Sequence, residues 1–70
     1  MKEYTDISNA DIERAIDMYV RGERDRDIMK RRLIDCVIYE KLAEEFKLSV
    51  RQVKNIVYRN ELTVYRHIKD

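Results

Sequence analysis

Arg51, Lys54, Asn55, Tyr58 and Arg59 are the side chains of this chain best equipped to act on another molecule, and they recur at intervals of three and four residues. On a helix, that spacing lines them up along one side. An arginine or lysine can donate to guanine O6 and N7, and an asparagine can pair with adenine N6 and N7. Val53, Ile56 and Val57 fall between them and form an apolar stripe for the opposite side. The pattern predicts a helix laid in the major groove of duplex DNA. Ser49 is placed to cap the start of that helix with its hydroxyl, and Ser49, Val50 and Gln52 complete the DNA-facing candidates in its first turn.

Other chemistries find little support. His67 is the only histidine, with no second His or Cys near it to share a metal ion. It is expected to be an exposed residue near a helix C-terminus, where partial positive charge is welcome. One glycine, Gly22, cannot build a phosphate-cradling loop. Glu44 and Glu45 belong to a helix face, and a Cys36–His67 nucleophile pair has no supporting spacing. No enzyme activity, cofactor or metal is therefore expected. Cys36 is expected to be a small buried hydrophobe in a reduced, cytoplasmic protein, since a lone cysteine forms no internal disulfide. Met1-Lys-Glu-Tyr-Thr-Asp6 has no apolar signal core, and no apolar run approaches the ~20 residues of a membrane span.

Seventy residues suit one small domain with no second lobe. With no proline, 41% charged and 44% apolar residues at helical spacing, the expectation is a set of solvated helices and not disorder. Net charge is only +1, but it is unevenly spread: −3 over residues 1–20, +2 over 21–35, −1 over 36–48 and +3 over 49–70. Such a domain can turn one basic face to phosphates without being basic overall.

The positioning elements follow from caps and periodicity. After a flexible 1–8, Ser8-Asn-Ala-Asp11 opens helix 1 over about 9–21, with Gly22 as a left-handed C-terminal cap. Helix 2 starts near Glu23–Asp25 and carries Ile28, Met29 and Leu33 inward. Its basic end, Lys30-Arg31-Arg32, either complements the helix dipole or clamps a phosphate. Helix 3 covers about 38–46, with Leu42, Ala43 and Phe46 on its inner face. Helix 4 starts at Ser49 or Val50 and runs unbroken to about His67, unless Asn60 ends it and a fifth helix follows. The fold is thus all-α, a single domain of four or five helices whose residues 39–60 form a C-terminal helix-turn-helix.

From Glu23 onward the chain resembles region 4 of bacterial sigma factors, and small phage proteins that carry such a helix-turn-helix alone. The resemblance rests on Glu23-Arg-Asp-Arg-Asp-Ile-Met-Lys-Arg-Arg-Leu-Ile-Asp35 and on Tyr39-Glu-Lys-Leu-Ala-Glu-Glu-Phe-Lys-Leu-Ser-Val-Arg-Gln-Val-Lys-Asn-Ile56, and spans residues 23–62. It implies a recognition helix reading a promoter element and a second partner in RNA polymerase. By position, the family's base-reading sites fall on Val50, Arg51, Lys54 and Asn55. The chain departs from the family at Val50, often an arginine or another polar residue. Cys36 stands in place of a turn glycine and Ile38 in place of a capping Ser or Thr. These two departures predict a tighter or more continuous junction between helices 2 and 3. Lys47 stands where Gly, Asn or Asp most easily takes a positive φ.

The expected partner is double-stranded DNA, in the manner of a small transcriptional regulator, half of a split sigma factor or a phage-encoded binder. A competing class is a protein-interaction module, for example one that binds RNA polymerase. Tyr39, Lys41, Arg31, Arg32 and Arg59 are candidate phosphate contacts, with Tyr39 alternatively a half-buried rim residue. Val57, Leu62, Val64, Tyr65 and Ile68 either support a weak homodimer or fold back on helix 1 in a monomer.

Overall fold

Ser8 starts the first helix by accepting the Asp11 N–H on its Oγ at 3.1 Å, which satisfies one of the donors that a helix N-terminus leaves free. The computed structural model describes residues 8–69, so the expected flexible segment up to Ile7 lies outside the described residues. Among the described residues there are four helices and no strand: α1 (Asn9–Tyr19), α2 (Glu23–Leu33), α3 (Tyr39–Phe46) and α4 (Val50–Lys69). The chain is all-α, and α4 is one unbroken helix of 20 residues. Asn60 does not end it, because its side-chain amide donates to the Ile56 carbonyl at 2.8 Å while the backbone continues.

Gly22 plays a different part from the one expected. α1 stops at Tyr19, and Val20 is already extended, so Gly22 is not its left-handed cap. It precedes α2 instead, with φ 87° and ψ 130°, a conformation that side-chain-bearing residues rarely adopt. Its carbonyl accepts the Arg26 N–H at 3.0 Å. The Arg26 guanidinium reaches back to the Val20 carbonyl at 3.1 Å and ties the two helices at their shared corner. Lys30 reinforces that corner from the other end of α2, 2.8 Å from Asp17 and 3.8 Å from Glu13 on α1.

The junction between α2 and α3 is a break in the helix, not a continuation of it. Residues 34–38 leave the helix, and the Val37 N–H turns back to the Arg31 carbonyl at 3.0 Å. Cys36 makes this turn with φ 60°, in the left-handed region, and its side chain is exposed. The expected burial of Cys36 is thus corrected: a residue at the apex of a turn projects away from the core. Ile38 precedes α3 with no side-chain cap and is itself 59% exposed.

The core is built from Ile12, Ala15 and Ile16 of α1, Val20 just after it, Ile28 and Met29 of α2, Leu42 and Ala43 of α3, and Val53, Ile56, Val57 and Val64 of α4. Leu33 and Phe46, expected fully inside, are half-buried and pack on its margin. The C-terminal apolar residues fold back: α4 runs along α1, with Val57 and Val64 buried and Ile68 packed against the core. Leu62 alone of that set points outward, 72% exposed. α4 touches all three other helices and, at roughly 30 Å, sets the long dimension of a body 39 × 21 × 17 Å across. No described helix is long and apolar enough to cross a membrane.

Candidate nucleic-acid interface

The turn that sets α4 against α3 spans residues 47–49. Lys47 takes it in the left-handed region, φ 58° and ψ 46°, and its N–H closes on the Ala43 and Glu44 carbonyls at the end of α3. Leu48 follows, half-buried against the core, and its N–H donates to the Ala43 carbonyl at 2.9 Å. Ser49 then starts α4 with a reciprocal box: its Oγ accepts the Gln52 N–H at 3.1 Å, while the Gln52 Oε1 accepts the Ser49 N–H at 2.9 Å. Two helix-start donors are satisfied by two side chains, so the direction of α4 is fixed at its first turn.

That arrangement sorts the α4 candidates. Ser49 and Gln52 spend these side-chain oxygens on the cap, which leaves the Gln52 NH₂ to donate outward. Val50 is half-buried against the core, so its side chain serves the packing. Arg51, Lys54, Asn55, Tyr58 and Arg59 are exposed, on the side away from buried Val53, Ile56 and Val57. Arg51, Asn55, Tyr58 and Leu62 follow one another at steps of four, three and four and form a single outward stripe. Arg51 makes no ion pair among the described residues. Arg59 lies 3.9 Å from Asp25, whose other neighbour is Arg24 at 3.3 Å, and keeps its side chain 68% exposed.

The candidates outside α4 divide sharply. Arg31 is engaged within the chain: both oxygens of the Glu45 carboxylate face its guanidinium, one at 3.2 Å from Nε, and Asp35 stands 3.9 Å away. It links α2 to α3 through its pair with Glu45. Arg32 donates to the Val37 carbonyl at 2.9 Å and lays its guanidinium 4.2 Å from the centre of the Tyr39 ring. Lys54 reaches within 5.6 Å of the same ring from α4, and Tyr58 meets it edge-on at 6.2 Å. Tyr39 is half-buried, and that burial pushes its phenol pKa up, with Arg32 pulling the other way. Lys41 is exposed on α3 and makes no ion pair among the described residues.

Sequence reasoning missed the shared role of Tyr39, because three helices converge on it and no local spacing shows that. It also missed the stack of Tyr19 on His67, 3.6 Å between ring centres and 11° from parallel. His67 Nδ1 lies 2.8 Å from the Thr63 carbonyl, so the ring is held on both sides. This contact fastens the end of α1 to the far end of α4, at a value of about 0.5–1.5 kcal/mol beyond burial. His67 is exposed, as expected of it.

No protein-family model, curated protein or solved structure matches the chain significantly.

Proposed function

We propose that the protein binds double-stranded DNA sequence-specifically, as a small transcriptional regulator resembling sigma factor region 4. The observation that carries this reading is the exposed stripe of α4. Arg51 and Asn55 project from the first half of a capped helix whose other side is buried, and Arg51 has no ion-pair partner among the described residues to explain it. A fixed helix with free guanidinium and amide groups in its first two turns suits the edges of bases in a major groove. Lys54 and Arg59 flank the stripe and supply positive charge beside it. A cytoplasmic setting and a phage-like origin accompany this reading.

The net charge of +1 and the exposed Tyr58 and Leu62 favour a second reading, a protein-interaction module that docks on a partner such as RNA polymerase. Binding to duplex DNA across a salt series separates the two. Affinity for DNA falls with a log–log slope near −0.9 for each phosphate contacted, whereas contact through an apolar patch weakens little. Undetectable duplex binding at low salt would refute the DNA reading.

A further inference from the structure

We infer that Arg32, Lys54 and Tyr39 form one clamp for a single phosphate of the DNA backbone, with Tyr39 as the positioning residue that holds the two cations together. The inference rests on the DNA-binding reading and assigns Lys54 to backbone binding and not to base reading. The three residues come from α2, α4 and the start of α3. The Arg32 guanidinium carbon lies 4.2 Å from the centre of the Tyr39 ring, and the Lys54 ammonium lies 5.6 Å from it. The two charges are therefore within about 10 Å of each other, no more than one Debye length at 0.1 M salt. Neither has a carboxylate partner among the described residues. Arg31, immediately beside Arg32, is neutralised by Glu45.

Two like charges gathered on one ring repel each other, and a shared anion relieves that repulsion. An aromatic ring attracts cations over its negative faces, so Tyr39 draws both toward itself. Arg32 is further fixed by its bond to the Val37 carbonyl, which uses one of its five donors. Tyr58, edge-on to Tyr39, sits on the outward stripe with Arg51 and Asn55, so the clamp borders the reading face. A phosphate on that border is what a helix lying in the groove must meet, because the backbone lines the groove edge.

A shared phosphate has a signature that two separate contacts lack. Counterion release follows the number of phosphates neutralised, near 0.9 in slope for each. The test measures affinity for a duplex against salt for the parent and for Arg32→Met, Lys54→Met, the double variant, Tyr39→Phe and Tyr39→Leu, each first checked by circular dichroism for unchanged helicity. The clamp predicts that the double variant loses about one unit of slope, and that each single variant, whose remaining cation still holds the shared phosphate, loses clearly less. Tyr39→Leu, which keeps both charges, should lose most of that unit, and Tyr39→Phe, which keeps the ring, should retain it. Sequence preference should be the same in all. A double variant that loses about two units or none, single variants that each lose a full unit, or a Tyr39→Leu protein indistinguishable from the parent would overturn the clamp while leaving DNA binding intact. A Lys54→Met protein with altered base preference would return Lys54 to reading and overturn it too. If the parent itself binds no duplex, the DNA reading fails and the clamp falls with it.

Discussion

Replacing Lys47 by glycine tests the turn on which the placement of α4 depends. Lys47 holds φ 58° and ψ 46°, a left-handed conformation that costs a residue with a Cβ about 1–2 kcal/mol. Glycine escapes that cost but loses more freedom on folding, roughly 0.5–1 kcal/mol, so a net gain of about 0.5–1 kcal/mol is expected. The lysine charge at the C-terminus of α3 complicates the comparison, since a cation there is worth about 0.3–1 kcal/mol. Lys47→Ala removes the same charge and keeps the strain, so the difference between the two variants isolates the backbone. Thermal unfolding followed by far-ultraviolet circular dichroism should place Lys47→Gly above Lys47→Ala by roughly 2–8 °C, given 4–8 °C per kcal/mol for a domain of this size. An alanine variant as stable as the glycine variant would show that the turn is not left-handed at Lys47.

Three further outcomes follow from the packing and the ionisable groups. Leu42→Ala, at a fully buried position, should cost about 2–5 kcal/mol, while Phe46→Ala should cost less than the 3–5 kcal/mol of a fully enclosed ring because Phe46 is only half-buried; urea titrations would rank them. Gly22→Ala meets no atom within 4 Å of the added Cβ, yet should destabilise by about 1–3 kcal/mol through its positive φ alone, and equal urea midpoints would contradict this. Burial raises the phenol pKa values of Tyr39 and Tyr65, and hydrogen bonding to Asp17 raises that of Lys30. The folded chain then holds these protons more tightly than the unfolded one. The stability they contribute is complete below about pH 10 and is lost as pH rises through the folded values, so the urea midpoint should fall on the alkaline side; a midpoint that rises there would refute the sign.

Much of the fold was legible because its signals are local. Ser8 and Ser49 announce helix starts within four residues, and the spacing of Val53, Ile56, Val57 and Val64 shows which side of α4 is buried. Glycine was harder to interpret. A positive φ at Gly22 follows from its type, but whether it ends α1 or begins α2 depends on where Val20 and Arg26 meet, a contact made only in the folded chain. Cys36 was misplaced for a related reason: its apolar character suggests burial, whereas its turn geometry decides exposure. In the candidate interface, α4 periodicity picked out Arg51 and Asn55 directly. Nothing local distinguishes Arg31 from Arg32, neighbours of the same type. The first is committed to Glu45 and the second to Tyr39 because successive helical residues point about 100° apart and face different parts of α3.

Selection of bound sequences from random duplexes asks whether the exposed stripe of α4 reads base sequence. The parent should enrich a defined site. Arg51→Ala and Asn55→Ala, with circular dichroism unchanged, should bind with relaxed preference, each losing discrimination worth about 1–3 kcal/mol at the position it reads. A parent that enriches no sequence, or two variants that enrich the parent's site undiminished, would contradict the account.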